Sequence, residues 1–511
     1  MRASNPGSVR CPSTAVLFFL LVFVLTAFVP DASARQRFME GDWVAWPDLR
    51  TYVDFEIGKN TVYIATTEGI LRWSRTKETW LDPWFSVPGP LTDAIFLNNP
   101  TKVREDPLTQ DVWVLLPDGW VVRDTGVDYW EYKSPDGTTM ERMERQSRKR
   151  VDPDPGLITP YQYVLDINDN SLSFRNQEWK YDGGIATDWN KAFYAWLGLG
   201  VGIIDKYSPT LQLYPQGVGP SPGLVVTDST IWAAGQLSYD GGWLWKRTRK
   251  EKDEKWYFYD PAIAWGLEEG DVQAMQVDKD GTLWIATNHG LMFGNGKRFR
   301  LLRKTDGLPS ERIKDVQPMK GGAWVATRYG MAFVNKKTAE VIRPDKETEK
   351  AFAVGMWSQL AAFGDTLYAS GPSFLVKKAK NGPWTEIDVT TTVGAGTDPL
   401  ALWAEQGFVA IGDKQGIAWR TPNGTWQQAF NHLWHDGYVL SIDFHGGYFW
   451  LGTDRGLVKF DPTQGDAIVY TTKEGLPGNT VYEVIGEGDY LWLGTDVALA
   501  KFHWNVAGRL D

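Results

Sequence analysis

Short runs of alternating apolar and polar residues, separated by turn residues, fill most of the chain. One phrase recurs: an apolar residue, an aromatic, another apolar, one or two small residues, two variable positions, then glycine and a second apolar run. Period-two alternation closed by glycine is typical of a β-hairpin. The clearest copies are residues 283–291, 323–331 and 449–457, and weaker copies centre on Tyr63, Trp113, Trp196, Trp232, Tyr368, Val409 and Trp492.

The spacing of the phrase indicates the fold class. From Trp284 onward the centres fall at 284, 324, 368, 409, 450 and 492, in steps of 40, 44, 41, 41 and 42 residues. Residues 467–470 predict a third strand, and residues 480–485 predict an inner strand. A repeat of about 40–45 residues made of strands and turns is the size of one propeller blade. The sequence therefore predicts an all-β β-propeller of four-stranded antiparallel blades, about seven to ten in number.

The two ends of the chain predict how the ring closes. The last repeat, which ends near residue 502, lacks an outer strand, and residues 37–47 have the pattern of an outer strand without a hairpin before it. We expect this N-terminal strand to pair with the last blade, since propellers leave only short, protected edges. Residues 35–511 then form one propeller, and two smaller propellers split near residues 215–260 are the alternative. Charged insertions near residues 131–160 and 246–256 are expected to be solvated loops.

The repeat resembles a known family. The phrase Leu-Trp-Ile-Gly-Thr-x-x-Gly-Leu, followed by Phe460-Asp461-Pro462 and Gly475-Leu476-Pro477, is similar to the two-component regulator propeller repeat of bacteria. The similarity is good over about residues 260–505 and looser over 55–245. It implies an extracytoplasmic, sensor-like propeller. Such repeats usually precede a Tyr-rich immunoglobulin-like module, a membrane span and a histidine kinase. No such module follows the last repeat here, so a free-standing propeller is expected.

Charge and cysteine content exclude several classes. The chain has 63 acidic and 53 basic side chains, a net charge of −10, and one cysteine in 511 residues. An acidic balance disfavours nucleic acid as a partner, because phosphate binding needs a basic face. A single thiol, Cys11, excludes a disulfide framework and a cysteine-based zinc site. The 52 glycines and 27 tryptophans fit repeated turns and one repeated packing position.

The N-terminus has the features of an export signal. Arg2 and Arg10 precede an apolar run from Ala15 to Val29, and the small residues 32–34 follow it. This order predicts a signal peptide over residues 1–34, cleaved after Ala34. The run is shorter than the roughly 20 residues that span a bilayer. We expect a periplasmic or extracellular protein with no membrane span in the mature chain.

Metal, cofactor and catalytic motifs are weak. His432, His435 and His445 suggest zinc, but a predicted inner strand of about eight residues, roughly 26 Å long, separates His435 from His445. Residues 278–281 fit a hairpin turn better than a calcium loop. The sequence predicts no nucleophile elbow, phosphate loop or nucleotide fingerprint. No metal, cofactor or catalytic residue is therefore predicted, and paired carboxylates cannot be identified among 63 acids.

The variable pairs of the phrase are the candidate binding residues. In a four-stranded blade, the turn between the second and third strands shares a face with the loop that enters the inner strand. Loops on a rigid frame commonly carry function. We therefore expect a ligand or partner face near the axis, formed by Asn288, His289, Arg328, Tyr329, Asp454 and Arg455.

Function is predicted only in outline. The leading hypothesis is a secreted, non-enzymatic propeller that binds an envelope protein or a small-molecule or carbohydrate ligand. The alternative is a propeller-fold lyase or hydrolase acting on polysaccharide or small cyclic substrates, and a third possibility is a subunit of a cell-envelope assembly. Titratable groups with perturbed pKa values that converge in one funnel would favour an enzyme. A broad aromatic or charged patch would favour binding.

Overall fold

The computed structural model describes residues 42–47, 52–147 and 221–506 apart from short breaks, and only strand backbone between residues 157 and 213. In this part of the chain the strands form eleven antiparallel sheets of four or five strands and one two-stranded sheet. The predicted all-β propeller of four-stranded blades is confirmed. The predicted signal peptide, residues 1–34, and its cleavage site lie outside the described residues.

Four sheets, numbered here in chain order, precede residue 221. The first strand of the chain, β1 (Trp43–Pro47), does not belong to them. Sheet 1 contains β2 (Tyr52–Ile57), β3 (Thr61–Thr66), β4 (Gly69–Ser74) and β5 (Thr79–Trp84), and a hairpin of β6 (Ser86–Pro88) and β7 (Ala94–Phe96) follows; sheet 2 contains β8 (Lys102–Glu105), β9 (Val112–Leu116), β10 (Gly119–Asp124) and β11 (Tyr129–Tyr132); sheet 3 contains β12 (Leu157–Ile158), β13 (Tyr163–Asp166), β14 (Ser171–Phe174) and β15 (Gln177–Lys180); sheet 4 contains β16 (Ile185–Asp188), β17 (Lys191–Trp196), β18 (Gly200–Asp205) and β19 (Leu211–Leu213).

Seven further sheets follow. Sheet 5 contains β20 (Gly223–Val226), β21 (Thr230–Ala234), β23 (Leu244–Thr248) and β24 (Trp256–Tyr259); sheet 6 contains β25 (Gly270–Val277), β26 (Leu283–Thr287), β27 (Gly290–Gly294) and β28 (Phe299–Leu302), with the short β22 (Gln236–Leu237) beside β25; sheet 7 contains β29 (Ile313–Met319), β30 (Gly322–Thr327), β31 (Gly330–Asn335) and β32 (Val341–Ile342); sheet 8 contains β33 (Gln359–Phe363), β34 (Thr366–Gly371), β35 (Phe374–Ala379) and β36 (Trp384–Ile387); sheet 9 contains β37 (Ala401–Glu405), β38 (Phe408–Gly412), β39 (Gly416–Arg420) and β40 (Trp426–Phe430); sheet 10 contains β41 (Val439–His445), β42 (Tyr448–Thr453), β43 (Gly456–Phe460) and β44 (Ala467–Tyr470); sheet 11 contains β45 (Val481–Glu487), β46 (Tyr490–Thr495) and β47 (Ala498–His503).

The repeat phrases coincide with the second strands of ten sheets. The additional sheet is sheet 3, which lies in the 83-residue interval between the phrases at Trp113 and Trp196. The tryptophan of the phrase is a core residue, as predicted from its repetition. Trp284 and Trp450 are fully buried and Trp492 is nearly so. Trp434, which lies off the phrase position, is also fully buried and donates from Nε1 to the Gly437 carbonyl at 3.0 Å.

Strand β1 completes the last blade, as the sequence predicts. It pairs antiparallel with β47, with Trp43 opposite Phe502 and Pro47 opposite Ala498. The Trp43 ring stacks on Phe502 with centroids 3.9 Å apart. Sheet 11 is therefore built from both ends of the described chain, and the edge of β47 is covered.

The first strands of sheets 5 to 11 lie innermost and contact one another in chain order, from β20 through β25, β29, β33, β37 and β41 to β45. Strand β45 also contacts β20, so these seven sheets form a closed cycle. Outside the cycle, β2 of sheet 1 contacts both β8 and β16.

Part of the first charged insertion, residues 137–147, is not a solvated loop, which corrects the sequence prediction for that part. Residues Gly137–Ser147 form an α-helix, α1. Asp136 accepts a hydrogen bond from the Thr139 backbone N–H at 2.7 Å, which is N-cap chemistry. Met143 is fully buried against sheet 2, and Arg142 pairs with the buried Asp106. Capping and one apolar face thus make this charged segment helical. In the second insertion, residues 246–248 belong to β23, and residues 250–255 lie outside the described part.

Candidate functional site

One hydrogen-bond pattern fixes the turn of the phrase. Thr453 Oγ1 donates to the Gly456 carbonyl at 2.7 Å, and it accepts from the Arg455 N–H at 3.1 Å. Gly456 has φ 136°, and a Cβ at this position would lie 2.5 Å from the Tyr470 carbonyl oxygen, so only glycine fits. The same bond recurs from Thr287 to Gly290, from Thr327 to Gly330 and from Thr495 to Ala498, each at 2.8 Å. The threonine hydrogen bond is constant in these turns, the fourth residue is glycine except for Ala498, and the two middle residues vary.

The predicted site residues occupy equivalent turns of three sheets. Asn288 and His289 lie between β26 and β27, Arg328 and Tyr329 between β30 and β31, and Asp454 and Arg455 between β42 and β43. Sheets 6 and 7 are neighbours in the cycle, so the first two pairs are adjacent. Sheets 8 and 9 separate sheet 7 from sheet 10, so the third pair lies apart from them.

Hydrogen bonds in sheet 10 show that the phrase turn and the loop entering the inner strand share one face, named here the loop face. The Tyr438 N–H donates to Asp454 Oδ1 at 2.6 Å, and Arg455 Nη1 donates to the His435 carbonyl at 2.9 Å. Both Asp454 and Arg455 therefore hold their own loop. In contrast, Tyr329 is 68% exposed, and the Arg328 guanidinium lies 5.7 Å from its ring centroid. Sheet 7 thus presents the most accessible of the predicted pairs.

Carboxyl groups on inner strands are a second feature of the cycle. Asp315 follows a β-bulge in β29 and accepts hydrogen bonds from the Leu360 N–H of sheet 8 at 2.6 Å and from its own neighbour Val316 at 2.7 Å. Asp443 of β41 accepts from the Gly486 N–H of sheet 11 at 2.6 Å. Each aspartate therefore fastens its inner strand to the next sheet.

Glu483 differs from the two aspartates. It follows the bulge in β45, where Asp315 stands in sheet 7. Crowding by packed atoms raises its pKa to about 8, and the negative charges of Asp315 and Asp443 add to the rise. Part of the residue surface is accessible, but packed atoms surround the carboxyl group and disfavour its charged form. Burial also raises the pKa of Asp315 to about 7 and shifts that of Asp443 upward.

The acids converge although they belong to sheets 7, 10 and 11. By the criterion given for an enzyme, convergent groups with raised pKa values count in favour of catalysis. However, the hydrogen bonds of Asp315 and Asp443 go to backbone N–H groups of adjacent sheets, which explains both as fasteners. Sequence reasoning missed this cluster. The signal that could have found two of its members is the bulge position. Asp315 and Glu483 stand there, whereas Ala274 and Ser441 occupy the equivalent places in β25 and β41.

The histidines follow the expected arrangement. His435 precedes β41 and His445 ends it, so the strand separates them. His445 Nε2 lies 2.7 Å from the Gly488 carbonyl oxygen. Within the described residues, no three His, Cys, Asp or Glu side chains are grouped so that they could hold a metal ion. No described helix is long and apolar enough to cross a membrane.

The chain was compared with known proteins. No curated protein sequence matches it. Among solved structures, the extracellular domain of BT4673 of B. thetaiotaomicron, described as a hybrid two component system, is 14% identical, with 90% of this chain and 70% of that chain covered and a TM-score of 0.47. PorZ of the type-IX secretion system of Porphyromonas gingivalis is 12% identical, with 93% and 75% covered and a TM-score of 0.47. Virginiamycin B lyase from Staphylococcus aureus is 12% identical, with 56% and 94% covered and a TM-score of 0.43.

One family model matches part of the sequence. It is the model of the two component regulator propeller, and it matches residues 266–289. Its described residues, 270–289, form β25, β26 and most of the phrase turn of sheet 6. The resemblance to the two-component regulator propeller repeat is thereby confirmed over residues 266–289.

Proposed function

We propose that the chain is an exported, non-enzymatic β-propeller that binds an envelope protein or a small-molecule or carbohydrate ligand through the loop face of sheets 6 and 7. The observation that carries this proposal is the pair Arg328 and Tyr329. Tyr329 is 68% exposed on a turn whose frame is fixed by the Thr327–Gly330 hydrogen bond. Tyrosine and arginine are enriched among the residues that contribute most of the binding energy at interfaces, and here an exposed tyrosine lies beside an arginine. Export is supported by the pattern of residues 1–34.

Removing this pair should weaken binding without affecting the fold. We expect Arg328→Ala/Tyr329→Ala to reduce capture of the partner or ligand about tenfold or more, because aromatic and arginine anchors carry most of the energy of an interface. The measurement is quantitative pull-down from an envelope fraction, together with a carbohydrate array. Lys320→Ala is the matched control, since Lys320 lies in the turn between β29 and β30, at the opposite end of the same sheet. Equal capture by the double variant and by wild type would contradict the proposal.

Catalysis is the less supported function. Of the three inner-strand carboxyls, only Glu483 has no hydrogen bond within the described residues. A catalytic pair needs two groups that are free to reach substrate.

We further propose that sheets 5 to 11, with β1, form the binding unit, and that sheets 1 to 4 belong to a second unit inserted into it. This agrees with the alternative of two propellers split near residues 215–260. Pro47, where the chain leaves the cycle, is paired with Ala498. Ser221, where it returns, donates its N–H to the Thr495 carbonyl at 3.0 Å. Both points adjoin the turn between β46 and β47, and inserted domains commonly leave and return at neighbouring points.

Replacing residues 48–220 by a linker of about eight Gly and Ser residues should therefore leave a folded protein. Eight residues span up to about 28 Å, which is ample for neighbouring points. We expect cooperative urea unfolding and the near-UV circular dichroism of buried tryptophans. Deletion of residues 357–389, which removes sheet 8 and opens the cycle, is the control and should abolish both signals. A linker variant that is as unfolded as this control would show that the inserted sheets are required.

A further inference from the structure

The rim of the cycle contains a cleft of about 320 Å³ between sheets 8 and 9. This volume is at the lower end of the range for small-molecule sites. Its lining includes Lys377, Thr385 and Glu386 of sheet 8, Asp388 directly after that sheet, and Arg420 and Trp426 of sheet 9. The cleft lies among third and fourth strands, away from the inner strands.

Strand register explains why these side chains meet. On sheet 8, Lys377 stands between Tyr368 and Thr385 in one cross-strand row. Lys377 is two residues from the buried Leu375, so it points to the same side. Leu375 packs in the apolar cluster shared with sheet 9, and Tyr368 borders that cluster. The row therefore faces sheet 9.

Sheet 9 contains an equivalent cross-strand row. Arg420 stands between Val409 and Trp426, and it is two residues from Ala418. Val409 and Ala418 belong to the same cluster between the sheets, and Trp426 borders it. The indole of Trp426 is fixed by a hydrogen bond from Nε1 to the Asp388 carbonyl at 2.9 Å. An ammonium and a guanidinium thus face one cleft from opposite walls.

The two cations are not paired with the acids beside them, although Glu386 and Asp388 also line the cleft. Within the described residues, neither Lys377 nor Arg420 forms an ion pair or a hydrogen bond. Because both cations lack an ion partner, a ligand carboxylate that reaches them would be attracted by both. A guanidinium is planar and matches the two oxygens of a carboxylate, and an indole offers a flat face to a ring. Thr385 and Glu386 add a hydroxyl and a carboxylate, which suit ligand hydroxyl groups.

From this geometry we infer that the cleft between sheets 8 and 9 is a binding site for a hydroxylated ring carboxylate of the uronic-acid class. Arg420 and Lys377 hold the carboxylate, and Trp426 packs against the ring. The site is separate from the loop face, so this inference does not depend on the proposed function.

The test is isothermal titration of the full chain with D-galacturonate, D-galactose and benzoate. For a ligand of this size, ordinary ligand efficiency corresponds to a Kd of about 1 mM for galacturonate. Arg420→Ala should weaken binding about tenfold or more, because a charge-assisted contact is lost. Arg420→Lys should bind galacturonate with intermediate affinity, since lysine keeps the positive charge but not the two parallel N–H donors of the guanidinium. Lys377→Ala, at an exposed position, provides a second variant if Arg420→Ala does not fold.

Several results would overturn the inference. They are the absence of galacturonate binding to wild type, equal affinity in Arg420→Ala or Lys377→Ala, galactose binding as tightly as galacturonate, and benzoate binding at least as tightly. Galactose tests the need for the carboxylate, and benzoate tests the need for ring hydroxyls. Lys414→Ala is the matched control, because Lys414 lies on sheet 9 in the turn between β38 and β39, at the loop face. Its affinity for galacturonate should equal that of wild type.

Discussion

Trp43→Ala/Trp46→Ala should lower the free energy of unfolding by about 4 kcal/mol, measured as a shift of the urea midpoint. The two rings lie three residues apart on β1 and therefore point to opposite faces of sheet 11. Trp43 packs with the cluster shared with sheet 10, and Trp46 packs with the cluster shared with sheet 5. Strand β1 thus contributes to the packing on both faces of sheet 11, where the cycle closes.

The magnitude follows from the contacts of each ring. Trp43 stacks on Phe502 at 3.9 Å, and Trp46 stacks on Trp492 at 5.6 Å. Fully buried Trp→Ala changes cost about 3–5 kcal/mol, and both rings here are partly exposed, so about 2 kcal/mol each is expected. Because the rings are on opposite faces, the two losses should nearly add. Their sum is a large part of the 5–15 kcal/mol that stabilises a typical domain.

Val44→Ala is the matched control for the double tryptophan variant. Val44 is on the same strand and is 41% exposed, so its truncation should shift the midpoint little. If the double variant unfolds at the same urea concentration as this control, β1 does not contribute to closure as described.

The sequence predicted those parts of the fold that depend on nearby residues. The phrase hairpins, the glycine at their turns and the closing strand all follow from local alternation and turn chemistry. The Gly-Leu-Pro loops are local as well. Gly475 caps a 3₁₀ turn with φ 103°, and Leu476 after it is fully buried. Apart from the pairing of the closing strand with β47, which follows from the need to cover an edge, these features need no knowledge of distant residues.

Other parts of the fold depend on distant contacts. Which sheets join the cycle is decided by packing between blades, and no local pattern records that β45 meets β20. Helix α1 was not predicted because most of its residues are charged or polar, and its short apolar face is buried only by packing against sheet 2. The site shows the same limit. The turn pairs were found from their variation, whereas Glu483, Asp315 and Asp443 converge only in the closed ring, and Arg420 meets Lys377 only across two sheets.

Glu483→Gln should stabilise the protein at alkaline pH and change little at acid pH. The pKa of Glu483 is raised from 4.5 to about 8, so the folded protein keeps a proton that the unfolded chain has released. Where the folded state binds more protons, stability falls as pH rises. The loss therefore develops between about pH 4.5 and pH 8 and is complete above that. Asp315, raised from 3.8 to about 7, contributes in the same direction.

The measurement is thermal unfolding of wild type and Glu483→Gln at pH 5, 7 and 9. The melting temperature of wild type should fall from pH 5 to pH 9. At pH 9 the melting temperature of the variant should be higher than that of wild type by on the order of 5 °C. Glu487→Gln is the control on the same strand, because hydrogen bonds from Arg249 and Trp492 outweigh burial and lower the pKa of Glu487. Its carboxylate stabilises the fold above pH 4.5, so removing it should destabilise the protein at pH 7 and pH 9. If the two variants respond to pH in the same direction, Glu483 is not a carboxyl held protonated by the inner strands, and the acid cluster does not set the alkaline limit of stability.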